Sequence, residues 1–181
     1  MKKPIAVKFY SGPGAGKSTM AAGVFSELKN CGVNAELVTE FAKQKVWEEA
    51  YKVFECQMYV CAKQVYRMFT VSKHVDVIVT DSPILLGTAY NRGDKLLDAI
   101  LLREYKKYNN IDIFLKRTKI YNPKGRMQTE DEAKEKDKLI MNILKRNKIN
   151  FKIWAGQKSS INEITQQILN SIEKGRKNEN Y

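Results

Sequence analysis

Ile5-Ala6-Val7-Lys8-Phe9-Tyr10-Ser11-Gly12-Pro13-Gly14-Ala15-Gly16-Lys17-Ser18-Thr19 is the stretch that decides how the rest of the chain is read. Ile5 to Tyr10 is a short, mostly apolar run, as expected of a buried strand. From Lys17 to about Asn30 the apolar residues fall at helical spacing, and Cys31-Gly32 closes that segment. Between the two lie three glycines in five residues. They let the backbone turn so that several N–H groups converge at a helix N-terminus, where the helix dipole also favours an anion. The spacing is that of the phosphate-cradling pattern G-x-x-x-x-G-K-[ST], with Ser11 in place of its first glycine. Gly12, Pro13, Gly14, Ala15, Gly16, Lys17, Ser18 and Thr19 are therefore the candidate phosphate site. Lys17 can reach the terminal phosphates of a nucleoside triphosphate, Ser18 can offer its hydroxyl to Mg²⁺, and Thr19 can support the loop. The reading implies ATP and Mg²⁺ as cofactors.

Outward from this loop, apolar runs alternate with helical stripes. Ala35 to Thr39 reads as a second strand, Val75 to Thr80 as a central strand buried on both faces, Ile111 to Leu115 as a fourth and Ile149 to Trp154 as a fifth. A long helix is expected over Trp47, Ala50, Tyr51, Phe54, Met58, Cys61, Ala62, Val65 and Phe69, whose spacing draws one continuous face, assigned to the core. Leu96, Leu97, Ile100, Leu101 and Tyr105 mark another helix. Thr129-Glu130-Asp131-Glu132 has the pattern of a capped start, and Ile161, Ile164, Ile168, Leu169 and Ile172 mark the last helix. Strands alternating with helices require crossovers, hence an α/β fold of three layers: a five-stranded parallel sheet with helices on both faces. One domain over residues 1–175 is expected, followed by a polar, frayed terminus at 176–181.

Composition narrows the function. The 181 residues carry 43% hydrophobic residues and a formal net charge of +12. No run is long and apolar enough to span a bilayer, and Lys8 interrupts the apolar start, so a cytoplasmic protein is expected. The three cysteines, Cys31, Cys56 and Cys61, have neither metal-clip nor redox spacing and read as reduced, small apolar groups. With His74 as the only histidine, His-based metal centres and Ser-His triads are excluded. The charge excess is compatible with nucleic acid as a partner and equally with a solvated lysine surface.

Two further elements complete the donor side. Asp81, in Val79-Thr80-Asp81-Ser82-Pro83, follows the central strand and can hold Mg²⁺ with Ser18. The segment from about 116 to 129 is basic and contains Pro and Gly; it reads as a lid. Arg117 and Arg126 in it can hold phosphate oxygens bidentately.

The Gly12–Thr19 loop, the Asp81-Ser82-Pro83 turn and Gly125-Arg126-Met127-Gln128 together resemble the small P-loop nucleoside, nucleotide and ribosylnicotinamide kinases, with kinase-like ATPases of tailed bacteriophages as the nearest match. The resemblance implies the P-loop NTPase fold, a kinase, a lid over the transferring phosphate, and adenine held near Gly156. It also implies a carboxylate base at Glu40 and a monophosphate-binding arginine at Arg67. The chain departs from many such kinases in having Ser82, not Arg, after Asp81. Gln57 and Gln64 lie on a polar helix face and can pair with a base edge.

The acceptor stays open at this level. The leading expectation is transfer of the ATP γ-phosphate to a nucleoside, nucleotide or related small molecule. A kinase acting on DNA, at a 5′-hydroxyl end or a hydroxymethylated base, is an alternative if Lys106, Lys107, Lys116, Arg117, Lys119, Lys124 and Arg126 form one basic track. A regulatory NTPase without an acceptor is the third reading. No oligomeric state follows from the sequence.

Overall fold

The computed structural model describes residues 3–118, 121–122 and 129–177. Its elements are β1 (Ile5–Tyr10), α1 (Lys17–Asn30), β2 (Ala35–Val38), α2 (Phe41–Trp47), α3 (Gln57–Ser72), β3 (Val77–Thr80), α4 (Lys95–Tyr105), β4 (Asn109–Lys116), α5 (Glu130–Arg146), β5 (Phe151–Ala155) and α6 (Ser159–Lys177). Short 3-10 turns occupy Tyr51–Glu55 and Ile84–Ala89. The sheet is parallel throughout with the order β2-β3-β1-β4-β5, the three-layer α/β arrangement expected. α5 starts with the capping box expected at Thr129 and Glu132. α6 runs through Lys177, past the boundary drawn at 175.

Alternating residues of β1 divide the core. Val7 and Phe9 pack with Met20, Val24, Leu28, Ile164 and Ile168 from α1 and α6. Ala6 and Tyr10 pack on the other face with Met68, Leu101, Ile140 and Leu144 from α3, α4 and α5. Lys8 also points into this second layer and is fully buried. Its amine donates to Asn110 Oδ1 and lies 4.0 Å from the centre of the Tyr105 ring. Register pairs Lys8 with Asp112, whose carboxylate accepts from the Tyr105 hydroxyl at 2.6 Å.

The long helix expected from Trp47 to Phe69 is broken. α2 ends at Trp47, Glu49 takes a left-handed φ of 54°, and a 3-10 turn intervenes before α3. The stripe assigned to the core is also largely outside it: Trp47, Tyr51, Met58 and Phe69 are exposed, and α3 buries Val60, Cys61, Gln64 and Met68 instead. The reason is a hydrogen bond between elements. Phe41 N donates to Gln64 Oε1 at 3.0 Å, so the start of α2 draws the Gln64 face of α3 inward. Of the cysteines, Cys61 is buried as expected of a small apolar group, while Cys31 and Cys56 are exposed. Among the described residues no helix is long and apolar enough to cross a membrane.

Candidate nucleotide-binding cleft

β1 has its neighbours β3 and β4 on opposite sides; the connection leaving β1 crosses one face through α1, and the one leaving β3 crosses the other through α4. In parallel α/β sheets such a switch point opens a crevice beyond the carboxyl ends of the strands. The glycine loop leaves β1 there and Asp81 leaves β3 beside it. The loop turns into α1 at Gly16, which serves as the N-cap residue with φ 97°. Only glycine takes that conformation without strain. The first amides of α1 have no intrahelical acceptor, and Lys17, Ser18 and Thr19 line a cavity of about 670 Å³.

Lys17 folds back on its own loop, donating to Ser11 O at 2.9 Å and Gly12 O at 3.1 Å. Burial holds its pKa below that of a free lysine, while Glu40, Asp81 and Asp137 pull it upward. Asp81 is buried, and its Oδ1 has no hydrogen-bond partner among the described residues. An orphaned carboxylate oxygen and a hydroxyl on residues lining one cavity, Asp81 and Ser18, are a donor set that suits Mg²⁺, which takes few protein ligands and shares the rest with phosphates and water. Ser18 and Asp81 line a second cavity of about 630 Å³, and Ser18, Glu40, Lys43 and Trp47 line both. Among the described residues no group of three or more His, Cys, Asp or Glu could hold a metal ion.

Gly156 meets the loop from β5. A Cβ there would lie 2.7 Å from Ala15 O, so no other residue fits. Its N–H donates to Lys116 O and its carbonyl accepts from the Thr118 hydroxyl.

Arg117 is placed differently from a free clamp. Its Nε and Nη2 donate to Asp137 Oδ2 at 3.1 and 2.9 Å, and Nη1 donates to Pro13 O at 2.8 Å. Asp137 Oδ1 accepts from Gly12 N at 2.5 Å. The guanidinium thus braces the flank of the loop and is absent from the lining of the large cavity. The ring of Tyr121 lies over Gly14, where an added Cβ would come within 2.7 Å. Arg126, Lys119 and Lys124 lie outside the described residues, as does most of the expected lid.

Of the residues expected to meet an acceptor, Glu40, Gln57 and Gln64 line the large cavity. Glu40 sits at the N-cap position of α2 without capping it by its side chain. Gln57 Nε2 reaches Cys61 Sγ at 3.5 Å. Gln64 is already engaged with the backbone, accepting from Phe41 N and donating to Thr39 O at 3.4 Å. Arg67 is not brought to this cavity. It donates to Thr39 O and Gln44 Oε1, packs over the Phe41 ring and lines the smaller cavity. Lys106 and Lys107 do not join Arg117 in one basic track. They precede the start of β4 and Arg117 follows its end, roughly 25 Å away at 3.3 Å per residue over the strand's eight residues.

Four residues of the site escape a reading of the sequence: Asp137, Tyr90, Arg92 and Lys136. Tyr90, Arg92 and Lys136 line the large cavity. Burial, reinforced by Glu40 and Asp137, pushes the Tyr90 hydroxyl's pKa far up. Asp137 and Lys136 sit in a helix dense with charges, where nothing local marks them off.

Sheet order, switch-point crevice and glycine loop define a three-layer P-loop NTPase fold. Among solved structures, the chain is similar to deoxyadenosine kinase from M. mycoides with the products dCMP and a flexible dCDP bound. The two are 18% identical, the match covers 93% of this chain and 99% of that one, and the TM-score is 0.52. No protein-family model and no curated protein matches the sequence.

Proposed function

We propose that the chain is an ATP-dependent kinase transferring the γ-phosphate to a nucleoside, nucleotide or related small acceptor. One observation carries this reading: a single cavity runs from the phosphate loop at Gly14, Lys17 and Ser18 to Glu40 and Gln57. Donor and acceptor would share it, as phosphoryl transfer by direct attack requires. The loop amides and Lys17 bind the donor's phosphates, and Ser18 and Asp81 would hold Mg²⁺, which would supply positive charge to neutralise the phosphate oxygens. Glu40 accepts the proton of an acceptor hydroxyl. Gln57 reads the acceptor's base edge, and Gln64 fixes the Thr39–Phe41 turn that presents Glu40. Arg117 supports the loop from its flank, Gly156 closes the adenine side, and Arg126 supplies lid charge. Arg67 is left as a brace on Thr39.

The test is a labelled-ATP transfer assay over deoxynucleosides, ribosylnicotinamide, nucleoside monophosphates and DNA with 5′-hydroxyl ends or hydroxymethylated bases. Transfer to a small acceptor that Lys17→Ala abolishes, with the fold intact by circular dichroism, supports the reading. Transfer to DNA alone would overturn the small-molecule acceptor. Fast acceptor-free hydrolysis stimulated by a partner would point to a regulatory NTPase instead.

A further inference from the structure

The large cavity carries more positive charge than the phosphate loop supplies. Among the described residues its charged lining consists of Lys17, Lys43, Arg92 and Lys136 against one acid, Glu40. Lys17 belongs to the donor loop. Lys136 stands on α5 beside that loop, its Cβ 3.2 Å from where a Gly12 side chain would begin. Its amine donates to Ala89 O at 2.7 Å and lies 4.5 Å from the centre of the Tyr90 ring. Among the described residues no carboxylate pairs with it.

Arg92 is presented in an unusual way. It is exposed, with φ 56°, and Gly93 follows at φ 88°. Two left-handed residues in succession are held by the buried Asn91. Its Nδ2 donates to Asp94 O at 2.9 Å and Asp98 Oδ1 at 2.5 Å, and its Oδ1 accepts from Gly93 N at 2.9 Å. Asp94 in turn caps α4 through Leu96 N and Leu97 N. None of these bonds uses the Arg92 side chain, whose guanidinium has no partner among the described residues. A non-glycine residue held in a disfavoured conformation by its surroundings, with an unspent fork of donors on a cavity wall, suits recognition of an anion.

Resting on the kinase reading above, we propose that Arg92 and Lys136 form a second phosphate subsite, which holds a phosphate that the acceptor already carries. The acceptor is then a nucleoside bearing both a free hydroxyl and a phosphate. Glu40 takes the hydroxyl proton, the hydroxyl oxygen attacks the γ-phosphorus, the bond from that phosphorus to the β–γ bridging oxygen breaks, and ADP leaves. The acceptor's own phosphate is unchanged. A carboxylate in the cavity favours a hydroxyl over a phosphate oxygen as nucleophile, because two anions would repel there. A free nucleotide and a nucleotide within a strand offer the same chemistry to this subsite.

The experiment presents one acceptor nucleoside in three forms: free, as its monophosphates, and inside a single-stranded oligonucleotide. A phosphate-bearing form is expected to have a kcat/KM at least tenfold above the free nucleoside. The monophosphate arm and the oligonucleotide arm tell the two sources apart. Arg92→Asn, which tolerates the left-handed backbone, is expected to raise KM for that form tenfold or more, with the KM for ATP and the Tm unchanged. Arg92→Lys should recover part of the loss. Equal use of the free nucleoside would overturn the subsite while leaving the kinase reading intact. So would a loss in Arg92→Asn that is the same for free and phosphorylated acceptors, or a product carrying a diphosphate. Transfer to none of the three forms, with ATP bound, would overturn the kinase reading along with it.

Discussion

Replacing Lys8 and Asp112 together, by Lys8→Met and Asp112→Asn, should make the protein more stable near neutral pH. Lys8 is fully buried, and burial lowers its pKa from 10.5 to about 7, with Asp112 opposing the shift. Burial also raises Asp112, with Lys8, Tyr105 and Tyr10 pulling it back. Between pH 7 and 10.5 the unfolded chain keeps the lysine proton and the folded one releases it. Stability therefore rises with pH across that window by about 1.4 kcal/mol per unit, and the full cost applies below pH 7. The shift of about 3.5 units corresponds to an upper bound of about 5 kcal/mol at pH 7. Lys8 recovers part of this through Asn110 and the Tyr105 ring. Replacing buried charges by uncharged groups of similar volume is often stabilising by about 1–4 kcal/mol, and that is the expected gain here. For a chain of this size it corresponds to a Tm increase of about 2–4 °C per kcal/mol. The assay is urea unfolding of both proteins at half-unit steps from about pH 7 to 9, below the range where the unfolded chain's tyrosines, with an ordinary pKa near 10, begin to ionise. The gap should be widest at pH 7 and shrink as the pH climbs. A gap that stays constant with pH, or a variant less stable than the parent, would refute the reasoning.

Asp137→Asn should loosen Arg117 from Pro13 and raise the KM for ATP about tenfold, since a carboxylate holds both the guanidinium and Gly12 N; unchanged ATP kinetics would count against the brace. Gln64→Leu leaves the buried Phe41 N–H without its acceptor, at a cost of about 1–3 kcal/mol read by chemical unfolding, and should lower kcat more than it changes the KM for ATP. Gly156→Ala should weaken ATP binding in a titration, because the added carbon meets Ala15 O at 2.7 Å.

The alternation of strands and helices, the glycine loop and Asp81 were legible in the sequence because each rests on local chemistry or on a period. The break after Trp47 was not, since Glu48-Glu49-Ala50 holds neither glycine nor proline and the apolar spacing resumes on its far side. Which face of α3 turns inward depends on Gln64 bonding Phe41 N, 23 residues away, and no helical period encodes that. Asp137 stands among Lys134, Glu135, Lys136 and Lys138, where its bond to Gly12 cannot be told from a solvated ion pair. Arg92 was missed for a related reason: Asn-Arg-Gly-Asp reads as an ordinary turn, and its left-handed arginine appears only with the backbone.

α2 is a partition with a chamber on either side. Lys43 and Trp47 line both cavities, while Gln57 lines only the larger and Thr70 only the smaller. A substitution in the partition therefore reshapes two volumes at once, and its kinetic phenotype belongs to neither alone. Paired changes at Gln57 and Thr70 are the ones that assign an effect to its chamber.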